Sequence, residues 1–260
     1  MKLAKKSLGQ NFLIDKNIIN KILKLSEIKD NHIVEIGPGK GALTDEILKK
    51  KPKSLIIIEK DFELSNILKE KYFSNNIIKV YNEDILKFNL EKIVKNKSTI
   101  FGNLPYNISS QILVQIIKFK KWPPKFCNLV FMFQKELGEK IIGSYHSNNY
   151  GRLSILSNLR LKTINKFYIS PNCFKPKPKV NSIVIHFKPK KELFNIKNIA
   201  QLEKVTNIFF SNKRKMINKN IKKILNEDQI KKIDNLNIYL RPSEIKPEIY
   251  YKITEIFDKN

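Results

Sequence analysis

Residues 32–50 read HIVEIGPGKGALTDEILKK, and this stretch decides the fold. Positions 33–36 form an apolar run, glycines follow at 37, 39 and 41, and residues 42–50 have helical periodicity. The pattern predicts a strand that passes through a glycine turn directly into a helix, so that the backbone can approach a ligand closely. The spacing is G-x-G-x-G. It lacks the later glycine of the dinucleotide fingerprint, which favours a different nucleoside cofactor.

Strand and helix patterns alternate on both sides of this turn. The continuous apolar run at 55–58 is typical of a strand covered on both faces. Further strands are predicted at 77–81, 98–101 and 128–133, with helical patterns between them. We therefore expect an α/β fold with a parallel, doubly wound sheet. Two further strands are predicted at Leu153–Leu161 and Asn181–Phe187, where they would complete one edge of the sheet.

Beyond residue 188 the patterns are helical only. Apolar periodicity predicts helices at Asn198–Phe210, Lys213–Leu225, Glu227–Ile233 and Pro247–Phe257. We predict two domains, an α/β domain at 1–188 and a small all-helical domain at 189–260.

The charge of the chain indicates a polyanionic partner. Fifty Lys and Arg residues against 24 Asp and Glu give a net charge of +26, which suits nucleic acid. A compositional bias towards Lys, Ile and Asn accounts for part of this excess. No apolar run approaches the ~18 residues of a membrane span, and the basic N-terminus has no secretory pattern. Cys127 and Cys173 have no metal or redox spacing. We expect a cytoplasmic protein without a metal or a membrane partner.

Two carboxylates are predicted to share the crevice at the carboxyl ends of the strands. Glu59 ends the second strand and Asp84 follows the third, and neighbouring parallel strands end at one edge of a sheet. Glu59 is placed to accept both ribose hydroxyls, and Asp84 to accept an adenine amino proton. Two carboxylates would repel a pyrophosphate but not a cationic sulfonium. The set therefore predicts S-adenosylmethionine rather than NAD.

The segment GNLPYNIS, residues 102–109, follows the fourth strand and enters the same crevice. An exocyclic amine is a poor nucleophile because its lone pair is delocalised into the purine ring. The side-chain carbonyl of Asn103 and the backbone carbonyl of Leu104, held extended by Pro105, would accept its two N–H bonds and favour a tetrahedral nitrogen. Tyr106 would stack on a flipped base, which contributes roughly 1–3 kcal/mol. No general base is needed, because the product cation loses its proton readily.

These motifs resemble those of the small-subunit ribosomal RNA adenine N6,N6-dimethyltransferases, and the resemblance covers nearly the whole chain. It is carried by SLGQNFL at 7–13, VEIGPGKGALT at 34–44, IEKD at 58–61, NEDIL at 82–86, GNLPYNIS at 102–109, FQKELGEKI at 133–141, YGRLSIL at 150–156, FKPKPKVNS at 174–182, NKRKMINKNI at 212–221 and LRPSEI at 240–245. The resemblance implies a seven-stranded Rossmann-like class I methyltransferase sheet with a C-terminal helical domain.

The resemblance also implies roles for individual residues. The cofactor-binding set would be Asn11, Leu13, Gly37, Glu59, Asp84 and Asn103. Asn11 and Leu13 would close over the methionine end of the cofactor, and Gly37 would contact its amino-acid part. The catalytic set would be Asn103, Leu104, Tyr106 and Phe174, with Phe174 stacking on the target opposite Tyr106. Lys177 replaces one proline of the family's FxPPPKV pattern, which predicts a more cationic rim beside an intact Phe174.

The implied reaction transfers methyl groups from S-adenosylmethionine to N6 of two adjacent adenosines in a hairpin near the 3′ end of small-subunit rRNA. The products are dimethyladenosine and S-adenosylhomocysteine. The implied partner is rRNA in an immature 30S-type particle, with a role in its assembly, and the free protein is expected to be a monomer.

Three alternatives were weighed. A large-subunit rRNA adenine methylase is disfavoured by the helical tail, since NKRKMINKNI and LRPSEI match the small-subunit group. Cytosine C5 methylation with Cys173 as nucleophile would leave NLPY without a role. A ribosome-assembly or nucleic-acid-binding factor with secondary catalysis is disfavoured by the intact Gly37, Glu59, Asp84, Asn103 and Tyr106.

Two basic stretches are predicted to bind RNA phosphates rather than bases, because Lys is a point charge. The first is a helix face formed by Lys215, Lys219, Lys222 and Lys223, at i, i+4, i+7 and i+8. The second runs from Lys166 to Lys191, lacks acidic residues and brackets Phe174.

Overall fold

The computed structural model describes residues 10–191 and 193–259. The strands are β1 (Phe12–Leu13), β2 (His32–Ile36), β3 (Ser54–Glu59), β4 (Ile78–Asn82), β5 (Ser98–Asn103), β6 (Phe126–Gln134), β7 (Leu161–Ile169), β8 (Phe174–Lys175) and β9 (Ser182–Pro189). The helices are α1 (Lys16–Leu23), α2 (Ala42–Lys49), α3 (Phe62–Lys71), α4 (Leu90–Ile93), α5 (Ser109–Ile117), α6 (Lys135–Ile141), α7 (Arg152–Arg160), α8 (Ile199–Phe210), α9 (Asn218–Ile221), α10 (Glu227–Lys231) and α11 (Pro247–Phe257).

Seven strands form one sheet in the order β4-β3-β2-β5-β6-β9-β7. The contacts β4–β3, β3–β2, β2–β5 and β5–β6 are parallel, and β9 runs antiparallel to β6. The chain winds outward from β2 on one side and from β5 on the other, so a switch point lies between these two strands. Ligands of open α/β sheets bind at such points, beyond the carboxyl ends of the strands. The predicted seven-stranded α/β sheet is confirmed.

A second, two-stranded sheet joins distant parts of the chain. Strands β1 and β8 pair antiparallel, with Leu13 opposite Phe174, and Ile14 N donates to Cys173 O at 2.9 Å. Both Leu13 and Phe174 are buried in the hydrophobic cluster of the sheet and its helices. The first described residues are thereby tied to the segment that precedes β9.

The described residues form two compact units. The first comprises residues up to 116 together with 124–138 and 163–189, and it contains most of the seven-stranded sheet. The second comprises 117–123, 139–162 and the residues from 190 onwards. Helix α7 thus groups with the helical tail. The predicted division into domains at 1–188 and 189–260 stays a prediction.

The prediction of a strand at Leu153–Leu161 is wrong, because helix α7 spans Arg152–Arg160 and β7 begins only at Leu161. The helix is buried on nearly all sides, so its sequence shows no amphipathic period. Ser154 Oγ accepts from the backbone N–H of Gly151 at 3.0 Å and starts the helix. The buried Arg160 guanidinium donates to the carbonyls of Ile117 and Phe119, at 2.6 and 2.8 Å.

The predicted helix at Lys213–Leu225 is also wrong, since only α9, Asn218–Ile221, is helical there. Ile217 N donates to Leu240 O at 3.0 Å, a bond to a residue far along the chain that competes with helix extension. The four lysines predicted to share a helix face therefore do not lie on one helix. Lys222 instead pairs with Glu227, with 3.3 Å between Nζ and Oε1.

Among the described helices, none has the length and apolarity needed to cross a bilayer.

Candidate active site

A cavity of about 400 Å³ opens at the carboxyl ends of the central strands. Its volume lies within the range of roughly 300–1,000 Å³ that is common for small-molecule sites. The lining includes eight of the nine predicted site residues, namely Asn11, Leu13, Gly37, Glu59, Asp84, Asn103, Leu104 and Tyr106. The ninth, Phe174, is not among the lining residues.

The glycine turn adopts a backbone that only glycine takes without strain. Gly37, Gly39 and Gly41 have φ angles of +69°, +59° and +81°. A Cβ on Gly39 would lie 2.7 Å from the ring of Phe12, so the missing side chain makes room for β1 to pack on the turn. Lys40 Nζ lies 5.0 Å from the centroid of the same ring. No pattern in the sequence indicates this contact of Phe12.

Glu59, at the end of β3, is a buried carboxylate held by two backbone donors. Its Oε2 accepts from Gly39 N at 3.2 Å and its Oε1 from Asp61 N at 2.8 Å. Burial raises the pKa of Glu59, while these two hydrogen bonds oppose the shift. An ionised carboxylate has about four lone-pair sites, so Glu59 keeps acceptor capacity for two further hydroxyl donors.

Asp84 follows β4 and is paired with Lys60, with 2.9 Å between Oδ2 and Nζ. Its Oδ1 accepts from Leu86 N at 3.0 Å. The hydrogen bond from Lys60 holds the pKa of Asp84 below its ordinary value. Asn82 donates to the backbone carbonyls of Glu59 and Lys60, at 3.0 and 3.2 Å, and so joins the ends of β3 and β4. Sequence reasoning did not assign Lys60 or Asn82 a role.

Glu35 is a third carboxylate of the cavity lining, which sequence reasoning also missed. Its side chain is 1% exposed and accepts from the Thr44 hydroxyl at 2.7 Å. Burial, with smaller contributions from Glu59 and Asp45, raises the pKa of Glu35 to about 8. The signal was available, because a glutamate in the apolar run HIVEI interrupts a strand that is otherwise buried.

Asn103 ends β5, where it pairs with Met132 of β6. Its Nδ2 donates to the backbone carbonyl of Asn11 at 3.0 Å. This bond sets the orientation of the amide and leaves Oδ1 as the side-chain acceptor. The side chain of Leu104 is 1% exposed and packs against Gly102, so only the backbone of Leu104 is suited to polar contacts.

Tyr106 is half-buried and held at two points. Its hydroxyl lies 2.5 Å from Ser182 Oγ, and its backbone carbonyl accepts from Ser109 Oγ at 3.2 Å. Burial raises the pKa of the Tyr106 phenol, which therefore stays protonated. The sequence did not indicate the contact with Ser182, which lies 76 residues further along the chain.

Phe174 differs from its predicted position opposite Tyr106. Its ring is 3% exposed and belongs to the hydrophobic cluster that includes Leu13 and Met132. The ladder between β1 and β8 holds it there. Tyr106 lines the cavity and Phe174 lies in the core cluster, so a stacking role for Phe174 requires its ring to leave the cluster.

Cys173 is not placed as a nucleophile. It lies outside the cavity lining, and burial followed by the nearby Asp15 raises the pKa of its thiol. A raised pKa lowers the fraction of reactive thiolate. Within residues 10–191 and 193–259, no group of His, Cys, Asp and Glu side chains is arranged to hold a metal ion.

Comparison with known proteins agrees with this geometry. A family model described as ribosomal RNA adenine dimethylase matches residues 1–259. Ribosomal RNA small subunit methyltransferase A of Pelagibacter ubique is 43% identical over 259 residues, which cover 98% of this chain and 97% of the relative. The protein of the same name from Malacoplasma penetrans is 39% identical over 257 residues, covering 96% and 90%.

Solved structures show the same fold. A dimethyladenosine transferase from Plasmodium falciparum superposes with a TM-score of 0.76 at 25% identity, covering 95% of this chain and 98% of that one. The 23S rRNA methyltransferase ErmE superposes with a TM-score of 0.67 at 22% identity, covering 95% and 100%. The likeness to ErmE is one of fold alone.

Proposed function

Because the chain belongs to the ribosomal RNA adenine dimethylase family, it is an S-adenosylmethionine-dependent rRNA adenine dimethyltransferase, and we propose that its substrate is small-subunit rRNA. The curated relatives that support this choice are named as small-subunit enzymes. The proposed target is two adjacent adenosines in a hairpin near the 3′ end, within an immature 30S-type particle. We propose further that the protein acts as a monomer in the cytoplasm and contributes to assembly of the small subunit.

The residues of the cavity fit S-adenosylmethionine. Glu59 would accept the ribose hydroxyls, because its carboxylate is buried, is fixed by two N–H donors and has lone pairs to spare. Asp84 would accept the adenine amino group, and Gly37 would contact the amino-acid part. Asn11 and Leu13 would cover the methionine end. When bound, the cofactor supplies an electrophilic methyl group on a cationic sulfonium, a charge that this carboxylate-lined cavity favours.

The protein's part in the transfer is to orient the target amine and shape its nitrogen. Asn103 Oδ1 and the Leu104 carbonyl accept its two N–H bonds, and this favours a tetrahedral nitrogen whose lone pair points at the methyl group. Tyr106 stacks on the adenine ring and holds it after it leaves its own helix. The buried apolar lining excludes water, which strengthens the hydrogen bonds from the amine. The proton leaves after the transfer, so no side chain needs to act as a base.

One observation carries the proposal for Asn103. The bond from one N–H of Nδ2 to the Asn11 carbonyl fixes the orientation of the amide and leaves Oδ1 available as an acceptor. An amide in the opposite orientation would present N–H donors to an amine that must itself donate. The geometry therefore favours an acceptor for an exocyclic amine.

Exposed basic side chains in both units would hold the RNA through its phosphates. In the first unit Lys175, Lys177 and Lys179 are exposed between β8 and β9. In the second, Lys213, Arg214 and Lys215 are exposed in the turn before α9. Phosphate contacts position an RNA without reading its sequence, so the shape of the target would supply the specificity.

The test is methyl transfer from labelled S-adenosylmethionine to separated ribosomal subunits from cells that lack the dimethylase. We expect label in the small subunit, and mass spectrometry should find dimethyladenosine at two adjacent positions. Label in the large subunit would contradict the proposed substrate, and adenine that carries only one methyl group would contradict the proposed product.

One variant distinguishes the proposed enzyme from the alternative, an assembly factor whose catalysis is secondary. Asn103→Ala should remove methylation without removing the exposed basic side chains. If the assembly role depends on binding rather than catalysis, cells with this variant will assemble small subunits normally. Defective assembly with a folded, RNA-binding variant would mean that the methyl groups themselves are needed.

A further inference from the structure

The hydroxyl contact between Tyr106 and Ser182 is not used by the reaction described above. Ser182 is the first residue of β9 and is fully buried, and its Oγ lies 2.5 Å from Tyr106 Oη. A tyrosine that serves only as a stacking surface needs no partner for its hydroxyl. A half-buried phenol normally finds one, and here the partner is a side chain rather than solvent.

Ser182 has a fixed position relative to Asn103 because both are paired with strand β6. Asn103 lies opposite Met132, and Ser182 lies opposite Gln134, two residues further along β6. Lys135 N donates to Asn181 O at 2.9 Å and extends this pairing. The Ser182 hydroxyl therefore attaches the ring of Tyr106 to the sheet, although Tyr106 itself lies in the turn after β5.

A second serine fixes the other end of the residue. Ser109, fully buried at the start of α5, donates to the backbone carbonyl of Tyr106. Both the hydroxyl and the carbonyl of Tyr106 are therefore hydrogen-bonded, and this restricts the movement of its ring. A stacking surface fixed in this way orders the base without a further loss of side-chain freedom.

We infer that Ser182 is a positioning residue for the methyl transfer: its hydroxyl holds the Tyr106 ring at the height and angle that bring the target amine to Asn103. This inference rests on the proposed function, in which Tyr106 carries the target base. Ser182 itself does not contact the substrate. Its loss should therefore change the rate of transfer more than the affinity for RNA, since the many phosphate contacts are untouched.

The test is a double-mutant cycle with Ser182→Ala and Tyr106→Phe, each of which removes one hydroxyl of the pair and keeps the ring. Single-turnover rates are measured on small-subunit particles from cells that lack the dimethylase. A neutral hydrogen bond corresponds to about a 3- to 10-fold change, so each single variant should be slower by that factor. The double variant should be no slower than either single variant, because all three lack the same bond. The affinity for S-adenosylmethionine and the KM for particles should stay within about twofold of wild type.

Ser98→Ala is the matched control. Ser98 is equally buried and donates to Lys95 O at 2.6 Å, but it lies at the opposite end of β5 from the cavity. The Ser98→Ala variant should be less stable than wild type but should transfer methyl groups at the wild-type rate. The urea-unfolding midpoints of the same four proteins can be measured without RNA. The effects of Ser182→Ala and Tyr106→Phe on the midpoint should also be non-additive, because both variants remove the same hydrogen bond.

The outcomes separate the inference from the function on which it rests. Additive rate effects, or a Ser182→Ala rate within twofold of wild type, would overturn the positioning role alone. Tyr106→Ala with a wild-type rate would overturn the stacking role of Tyr106 and with it this inference. A wild-type protein inactive on these particles would overturn the proposed substrate first.

Discussion

Asn103 Nδ2 lies 3.0 Å from the backbone carbonyl oxygen of Asn11, a residue 92 positions earlier in the chain. The segment that contains Asn11 and Leu13 thus orients the Asn103 amide. Leu13 is paired with Phe174 through the β1–β8 ladder. In the proposed function, the orientation of the Asn103 amide and the covering of the cofactor therefore depend on the same segment.

Asn103→Ala should lower the single-turnover rate about 100-fold, in line with the loss of one oriented polar group that acts on the transition state. The affinity for S-adenosylmethionine, measured by calorimetry, should change much less. Gln111→Ala, an exposed amide on α5, is the control. A rate within twofold of wild type for Asn103→Ala would refute the role of Asn103.

Glu59→Ala should weaken the binding of S-adenosylmethionine by about 10- to 100-fold, since hydrogen bonds to a charged group contribute roughly 1.5–3 kcal/mol. Asp84→Ala should weaken it by a similar factor. Glu70→Gln changes an exposed carboxylate of α3 and should leave calorimetric affinity unchanged. Wild-type affinity in both cavity variants would rule out this assignment of the cofactor.

The free energy of unfolding should fall as the pH rises from about 4.5 to 8, because the unfolded chain loses the Glu35 proton in this range while the folded protein keeps it. Burial raises the pKa of Glu35 to about 8 in the folded state, so the folded protein holds this proton more tightly than the unfolded chain. The stabilisation is complete below the unfolded pKa and is lost as the pH rises through the folded one.

The glutamine of Glu35→Gln cannot ionise, so this part of the pH dependence should disappear in the variant. Above pH 8 the variant should be more stable than wild type by on the order of a few kcal/mol. Urea unfolding of both proteins from about pH 5 to about pH 9 is the measurement. Parallel curves for the two proteins would show that Glu35 is ionised throughout.

Phe174→Ala should lower the free energy of unfolding by about 3–5 kcal/mol, because the ring is 3% exposed and packed in the core. Phe174→Leu keeps most of the packing but has no aromatic face. If Phe174 leaves the cluster to stack on the target, Phe174→Leu will be slow in methyl transfer while nearly as stable as wild type. Phe126→Leu, a buried ring at the far end of β6, controls for packing loss. Equal rates for both Leu variants would confine Phe174 to a structural role.

Joint substitution of Lys213, Arg214 and Lys215 by Ala should flatten the salt dependence of particle binding. Each phosphate contact contributes about 0.7–0.9 log units of affinity per log unit of salt, so the slope should fall by about two to three. This set replaces the predicted helix face, because Lys222 is already paired with Glu227. Joint substitution of the exposed Lys50, Lys51 and Lys53 is the matched control. An unchanged slope would place the RNA elsewhere on the protein.

The central sheet was predictable because its strands are short, largely apolar segments followed by turn or helix-start signals. The stretch at 32–50 forms β2, the glycine turn and α2 as expected, Asp15 caps α1, and α11 spans Pro247–Phe257 as predicted. Local sequence determines each of these features. It failed where tertiary contacts decide, as in α7, which is buried on most sides, and before α9, where Ile217 N donates to Leu240 O.

Glu59, Asp84 and Asn103 could be predicted from residue type and position at strand ends, whereas the roles of Asn11, Leu13 and Phe174 came from the family resemblance. The structure places every predicted site residue except Phe174 in the lining of one cavity. Their partners could not be predicted in the same way. Lys60 beside Asp84, Ser182 beside Tyr106 and Phe12 beside Gly39 are contacts between segments distant in sequence. Such partners have no local pattern, because the fold alone brings them within reach.

Asp84, Glu59, Asn103 and Tyr106 all line one cavity. A single inhibitor could therefore carry a nucleoside head for the Glu59 end and a purine-like head for the Tyr106 end, joined by a short linker past Asn103. Once one head is bound, the other is presented at a high effective concentration, so that two weak fragments combine into a tight ligand. Selectivity among methyltransferases would come from the purine-like head, since the nucleoside end serves a cofactor that many enzymes share.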